Sequence, residues 1–374
     1  MKSIIHKFIS ILLLVIMIVN LTLISTQFVS SAEMIDLLSV GNNDTFICGD
    51  FEYKVDENNT ATVLKYVGNS IELVIPEELD GHTVTRVFLP AGSNTSSNSI
   101  KSIIIPDTVL HINHNCFQNY ENLETIKLSD NLLSIGMCAF KNCSKLTEIQ
   151  MPDSVTLVYP GAFAKCTALK KIKLSENLTT ICRGTFWNCS SLEIINLPAS
   201  LQTIEGRINA QGFADESIAH AAFENCISLK SIIIPEKVNE IGDYAFFGCE
   251  NLSFVKIESD VKYVGYLAFG YIDSDHKIEN FTIYGINDTA IQSYAIANGF
   301  YFIPLDNQTK IGDTNLDGAI SIGDVTVIQR HLAEIESFSE KQLSVADTNG
   351  DNEINIADAT HLQMFLAEYD VELG

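Results

Sequence analysis

The sequence predicts a β-rich solenoid built from 23-residue repeats, each a strand plus a short helical turn, followed by a small all-α module. Two observations predict this fold. A column of phenylalanines recurs every 23 residues through the middle of the chain, and an oxygen-rich loop occurs twice, 34 residues apart, near the C-terminus. Self-similarity of this period is typical of a solenoid, in which each repeat can bury its apolar face only against its neighbours.

The start of the chain has the pattern of a secretory signal peptide. Lys2 and Lys7 precede an apolar run at 8–24, and small residues follow up to Ala32. We therefore expect residues 1–32 to be removed after export, leaving a secreted, extracellular protein associated with a scaffold or a cell surface. The apolar run is also long enough for an uncleaved anchor helix, which remains the alternative.

Residues 33–98 are predicted to form an N-terminal β cap. Apolar and polar residues alternate at 51–66 around Asn58 and Asn59, which is a hairpin signature. The polar segment 91–99 is a predicted loop. We expect the cap to cover the open first edge of the solenoid, because an exposed terminal strand is a template for unwanted pairing.

The repeats are predicted to occupy residues 99–304. The phenylalanine column interrupts its period once, between Phe186 and Phe223, where a 14-residue insertion fits at 206–219. Other apolar columns keep step with it and include an L-x-x-I-x-L segment, whose residues two apart point to one side of a strand. The phenylalanines are Phe117, Phe140, Phe163, Phe186, Phe223, Phe246 and Phe269, and Cys143, Cys166, Cys189, Cys226 and Cys249 each follow one by three residues.

Strings such as "CAFKNCSKLTEIQMPDSV" and "YAFFGCENLSFVKI" resemble the BspA-type leucine-rich repeats of bacterial surface proteins. The segment "FTIYGINDTAIQSYAIANGFYF" is similar to the closing segment of that family, and the resemblance covers roughly residues 50–304. It implies a binding surface rather than a catalytic one. Because each cysteine of the column takes the same position in its repeat as a small apolar residue would, we expect free structural thiols.

Two oxygen-rich loops near the C-terminus have the spacing of a calcium site. Calcium prefers six to eight oxygen ligands, and alternate positions of a tight loop direct oxygens to one centre. We expect two Ca²⁺ ions, with Asn352 replacing the usual glycine at position 6 of the second loop because asparagine tolerates left-handed backbone. The predicted ligands are Asp313, Asn315, Asp317, Ala319 (carbonyl), Ser321 and Asp324 in the first loop, and Asp347, Asn349, Asp351, Glu353 (carbonyl), Asn355 and Asp358 in the second.

Each loop leads into an apolar helical stripe, and the duplicated loop–helix segments at 311–370 resemble a type I dockerin. We assign residues 311–374 to this module and 305–310 to a linker. The resemblance implies a cohesin module of a scaffolding protein, as in cellulosomes, as the partner. By that resemblance the cohesin-binding residues are Ile322, Gly323, Gln329, Arg330, Ile356, Ala357, Gln363 and Met364. Some of them could instead pack within the module. Because the copies are alike, we hypothesise binding in two orientations.

Several function classes are disfavoured. The formal net charge of -24 makes nucleic acid a poor partner. No zinc-protease, nucleophile-elbow or phosphate-loop motif occurs, and no flat aromatic platform is apparent along the predicted strands. We therefore expect a non-catalytic docking component whose solenoid binds a protein or cell-surface partner. A carbohydrate-binding or cryptic hydrolytic subunit of a polysaccharide-degrading complex remains the alternative, and the 14-residue insertion is the most distinctive candidate feature.

Overall fold

The structure is a computed structural model that describes residues 44–90, 99–208, 218–305, 310–315, 320–367 and 371–373. The predicted signal peptide lies outside the described residues. The strands are β1 (Phe46–Cys48), β2 (Phe51–Val55), β3 (Ala61–Tyr66), β4 (Glu72–Val74), β5 (Glu78–Leu79), β6 (His82–Val87), β7 (Ser102–Ile104), β8 (His111–Ile112), β9 (Thr125–Lys127), β10 (Ser134–Ile135), β11 (Glu148–Gln150), β12 (Leu157–Val158), β13 (Lys171–Lys173), β14 (Thr180–Ile181), β15 (Ile194–Ile195), β16 (Thr203–Ile204), β17 (Ser231–Ile234), β18 (Glu240–Ile241), β19 (Phe254–Ile257), β20 (Tyr263–Val264), β21 (Thr282–Gly285) and β22 (Tyr301–Pro304).

The helices are α1 (Ala290–Asn298), α2 (Ile322–Leu332), α3 (Glu340–Ala346) and α4 (Ile356–Leu366). Helix α1 lies between β21 and β22, in the closing segment of the solenoid. The other three belong to the C-terminal module. No helix of the described residues combines the length and apolarity needed to cross a membrane.

The N-terminal segment contains two kinds of structure. Strands β1, β2 and β3 form an antiparallel hairpin ribbon, as its alternating pattern predicts. Strands β4 and β6, which we had placed in the cap, already pair in parallel with the repeat strands β7 and β8. The parallel solenoid therefore begins inside the segment 33–98, at a repeat that lacks the phenylalanine column.

Two columns of parallel strands run along the solenoid. The L-x-x-I-x-L segments form one column, for example β11, β13 and β15 in direct register. A second column of two-residue strands, such as β14, β16 and β18, lies five residues before each phenylalanine position and was not predicted as strand. We call these the long-strand face and the short-strand face.

The third side of each repeat differs from our expectation. We expected a short helical turn at the phenylalanine column, and this is wrong. Asn142 and Asn188 have φ of 62° and 58°, whereas any right-handed helix needs negative φ. Cys143 N donates to Phe140 O at 3.2 Å, closing a turn of the type II kind, which needs positive φ at its third residue. Phe140 N donates to Ala162 O of the next repeat at 2.8 Å, so these turns also hold neighbouring repeats together.

The core is a stack of rings enclosed by these three sides. Consecutive phenylalanines of the column lie with ring centroids 4.8–5.8 Å apart and nearly parallel planes. Each cysteine of the column donates its Sγ–H to the carbonyl of a phenylalanine of the preceding repeat, as Cys166 does to Phe140 O at 3.1 Å. All nine cysteines are free, which confirms the prediction of structural thiols for this column.

A separate small core lies in the C-terminal module. Val325 and Ile328 of α2 pack against Ala359 and Leu362 of α4, and partly buried neighbours surround them. This is the mutual packing that the two apolar stripes predict. Helix α3, which precedes the second loop, was not predicted, although it has a complete capping box at Ser339.

Candidate functional site

The second oxygen-rich loop is fully described and folds back on itself. Asp347 Oδ1 and Asn349 Oδ1 both accept from Asp351 N, at 3.1 and 2.9 Å. Asp347 Oδ2 accepts from Asn352 N at 2.8 Å. Asn352 has φ of 67°, the left-handed backbone that we expected at position 6. The side-chain oxygens at positions 1 and 3 therefore face the same point inside the loop.

The described part of the first loop shares other bonds with the second loop. Thr314 Oγ1 donates to Asp324 O at 2.8 Å, and Thr348 Oγ1 donates to Asp358 O at the same distance. Asp324 accepts from Ser321 N, and Asp358 accepts from Asn355 N in the equivalent capping box. The described parts of the two loops are thus alike in structure as well as in sequence. Asp317 and Ala319 lie outside the described residues.

The residues of these loops fit calcium in their donor chemistry. Each offers several carboxylate or amide oxygens and lacks nitrogen or sulfur ligands, as a hard cation requires. Among the described residues, no three His, Cys, Asp or Glu side chains converge as a metal cluster. One reason is visible at Asp358, whose two oxygens face the backbone N–H groups of Thr348 and Asn355. The residues therefore fit calcium by the kind of oxygen donors they offer, and not by a coordination shell that is already formed.

The predicted cohesin-binding residues lie on the outside of the module. Ile322 and Ile356 occupy equivalent positions at the starts of α2 and α4 and are 64% and 63% exposed. Gly323 is half-buried, and the other predicted contacts are exposed: Gln329, Arg330, Ala357, Gln363 and Met364. Packing within the module therefore does not account for them, and two large apolar side chains are left facing solvent.

The described ends of the 14-residue insertion are held by a buried charge cluster. Glu224 has a side chain only 3% exposed and accepts hydrogen bonds from Arg207 and His220. Trp187 stacks on His220 with centroids 3.9 Å apart, and Arg207 lies over the Tyr244 ring. Burial alone would raise the pKa of Glu224, but the hydrogen bonds from His220, Arg207 and the Ala221 amide outweigh it and lower that pKa. The centre of the insertion, 209–217, lies outside the described residues.

The long-strand face is mostly polar but ends in an aromatic group, of which only Phe254 was predicted from the sequence to face outward. Phe254 and Tyr284 lie on β19 and β21 with ring centroids 5.8 Å apart, and Tyr301 on β22 is 63% exposed. Tyr284 and Tyr301 lie in the closing segment, which lacks the 23-residue period that identifies outward positions elsewhere. The rings of Phe254 and Tyr284 meet at 84°, so they do not form the flat platform that crystalline polysaccharide requires.

The comparisons with known proteins agree with this architecture. A family model described as a BspA-type leucine-rich repeat region matches six copies, at residues 92–211 and 216–343. The chain belongs to the BspA-type leucine-rich repeat family. The match covers more than half of the sequence and extends beyond the last paired strand of the BspA-type solenoid. No curated protein matches the chain, and no comparison indicates an enzyme family.

One solved structure supports the same fold, and two further solved structures are similar at lower scores. A leucine-rich cell surface protein from Faecalibacterium prausnitzii is 25% identical, with a TM-score of 0.51 over 66% of this chain and 72% of that one. A leucine-rich repeat protein from Bacteroides capillosus is 27% identical, with a TM-score of 0.30 over 34% of this chain and 96% of that one. The leucine-rich repeat protein of T. pallidum is 23% identical, with a TM-score of 0.40 over 60% and 99%.

Proposed function

We propose that this BspA-type chain is an exported, non-catalytic docking component. Its C-terminal module binds two Ca²⁺ ions and, through the dockerin-like surface, a cohesin module on a scaffolding protein. Its solenoid binds a protein partner or a cell-surface partner. The likeness to a cell surface protein supports export, and the long exposed faces of a solenoid suit a macromolecular ligand.

The observation that carries the docking proposal is the paired geometry of the module. Both loops share one hydrogen-bond scheme, and both helices begin with an exposed isoleucine, Ile322 or Ile356. Exposed apolar side chains rimmed by polar ones are typical of interaction surfaces. Since the surfaces around Ile322 and Ile356 are alike, either one could occupy the same recess of a cohesin, with the module bound in one orientation or the other. This is the two-orientation hypothesis.

Capture of the full chain on immobilised cohesin modules tests the proposal. We expect capture in Ca²⁺ and loss of capture in EGTA. The single variants Ile322→Asp and Ile356→Asp should each retain affinity within a few-fold, because the other copy remains, whereas the double variant should lose binding. Ile335→Asp is the matched control, because Ile335 is 69% exposed and lies outside the predicted contacts.

Three outcomes would contradict the proposal at different points. Failure to bind any cohesin would remove the docking function. Binding that EGTA leaves unchanged would remove the role of Ca²⁺. Loss of binding in one single variant would exclude the two-orientation hypothesis and leave docking through a single copy.

A further inference from the structure

A groove with both polar and apolar lining, the latter including Leu133 and Leu157, separates the N-terminal hairpin from the short-strand face. It has a volume of about 560 Å³, within the range of sites that hold small molecules. The β2–β3 turn forms one wall, and strands β6, β8, β10 and β12 form the floor. Its lining includes Lys54, Asp56, Glu57, Arg86, His111, His114, Ser134 and Tyr159.

Arg86 presents unused donors to this groove. It lies on β6, half-buried, directly beside His111 in the next strand. Its guanidinium makes no hydrogen bond or ion pair with any described residue, although Asp56 and His111 feel its charge. Asp56 does not compete for it, because that carboxylate accepts from Asn58 N, Thr60 N and Thr60 Oγ1 within its own turn. A planar guanidinium in this state is suited to bind a carboxylate.

Two histidines line the groove, and the hydrogen-bond pattern fixes the donor position of one of them. His114 Nδ1 accepts from Met137 N at 2.7 Å, so a neutral His114 ring carries its hydrogen on Nε2. His111 Nδ1 is bonded to Ser134 Oγ at 2.9 Å. Neither Nε2 has a partner among the described residues, and both rings line the groove. Tyr159 meets the His114 ring edge-on at 5.1 Å and supplies an aromatic wall.

We propose that this groove binds an acidic sugar unit, a hexuronic acid, with its carboxylate on Arg86. The hydroxyl and amide groups around Arg86 favour a ligand that carries several hydroxyl groups beside its carboxylate over a simple inorganic or carboxylate anion. Ser134, Thr62, Asn58 and Asn113 lie on the lining, and such groups form the alternating donor and acceptor contacts that sugar hydroxyls need. Glu57, in the β2–β3 turn, also lines the groove and is exposed.

Calorimetric titration of the full chain with trigalacturonate tests the proposal. We expect saturable binding, at least tenfold weaker binding to galactotriose, and at least tenfold loss in Arg86→Gln. Arg86→Lys keeps the positive charge but lacks the planar guanidinium, so its affinity should lie between those of the wild type and Arg86→Gln. Lys173→Gln is the control, because it removes one exposed positive charge on the long-strand face. Circular dichroism confirms that each variant is folded.

Several results would overturn the proposal. Equal affinity for acetate or inorganic phosphate would show that the sugar body contributes nothing. Tighter binding of a tetraglutamate peptide would identify an acidic peptide site instead. Binding of trigalacturonate that Arg86→Gln and Arg86→Lys both leave unchanged would place the sugar elsewhere, and absence of binding would remove the site.

Discussion

The cysteine column joins the repeats through weak but repeated hydrogen bonds. Cys143, Cys189 and Cys249 each donate Sγ–H to the carbonyl of a phenylalanine in the preceding repeat, at 3.2 Å in every case. Burial raises the pKa of Cys166 to about 12, so it stays a thiol at neutral pH. Since the thiolate is the reactive form, these side chains are inert donors and not nucleophiles or metal ligands.

Thiol titration checks this assignment. In the native protein, Cys48 should react first with Ellman's reagent, because it is half exposed while the column is buried. In guanidinium without reductant, all nine cysteines should react. A smaller number in the denatured protein would show that disulfides exist, and fast reaction of the column in the native protein would contradict its burial.

Glu224 holds its charge inside the cluster beside the insertion. We expect Glu224→Gln to lower the free energy of unfolding by about 1–3 kcal/mol at pH 7, because Arg207 loses its buried partner. The folded-state pKa of this carboxyl is lowered. The charge of Glu224 therefore contributes its full stabilisation above the ordinary glutamate pKa. That contribution is lost as pH falls through the lower pKa of the folded state.

Urea unfolding of both proteins at a series of pH values from 7 to 3 measures that difference. The gap between wild type and Glu224→Gln should narrow as the wild-type carboxyl is protonated. Glu193→Gln is the control, because Glu193 forms an exposed ion pair with Lys230 and should matter little. A gap that stays constant over the whole range would show that the charge of Glu224 does not contribute.

At the scale of elements, the turns of the phenylalanine column depend on left-handed residues. Asn119, Asn142, Asn188 and Asn225 take equivalent positions, each with φ of 58–62°, and Gly248 takes the same position at 74°. Asparagine and glycine are the residues that adopt this conformation most readily. Their recurrence explains why each repeat turns sharply here without a helix.

A pair of substitutions at Asn188 tests the turn. Asn188→Ala should lower the free energy of unfolding by about 1 kcal/mol, because alanine lacks the short polar side chain that lets asparagine adopt left-handed backbone, whereas Asn188→Gly should change it little. Asn239→Ala is the control at an exposed asparagine outside the positive-φ set. Chemical denaturation measures all three. Equal losses in Asn188→Ala and Asn188→Gly would show that the side chain, not the backbone, matters there.

The long-strand face and the core could be predicted from the sequence because their apolar residues recur at the same position in each repeat. The short-strand face was missed because two-residue strands such as β8 are too short to show alternation. The groove was missed for a different reason. Arg86 and His111 are 25 residues apart, and the repeat that carries Arg86 lacks the phenylalanine that identifies the others. Only the parallel pairing of β6 with β8 brings them together.

At the scale of the whole molecule, the two cores differ greatly in size. The solenoid buries a continuous stack of rings, whereas the described part of the C-terminal module has a small apolar cluster of Val325, Ile328, Ala359 and Leu362, with Val345 and Ala346 also buried. A module with so little buried apolar surface needs a further source of stability. The duplicated loops were recognisable in the sequence because their ligand spacing is local, while the exposure of Ile322 and Ile356 depends on how α2 and α4 pack.

Removal of calcium should therefore unfold the C-terminal module and leave the solenoid folded. A ligand at a hundred times its dissociation constant adds about 2.7 kcal/mol to the folded state, which is large against so small a core. In scanning calorimetry of the full chain, EGTA should abolish or lower one transition and leave the other unchanged. The helical signal in the circular dichroism spectrum should decrease in the same transition that EGTA abolishes or lowers.

Asp358→Asn and Asp324→Asn should each weaken the calcium response, because the proposed sites take a carboxylate from position 12 of each loop, although both carboxylates face backbone N–H groups in this structure. Asp260→Asn provides the matched change on the solenoid, where Asp260 forms an exposed ion pair with Lys262, and it should leave the response intact. Magnesium should not replace calcium, since it demands a smaller octahedral site. If EGTA leaves both transitions unchanged, the module is stable without metal, and its docking surface must be preformed by α2, α3 and α4 alone.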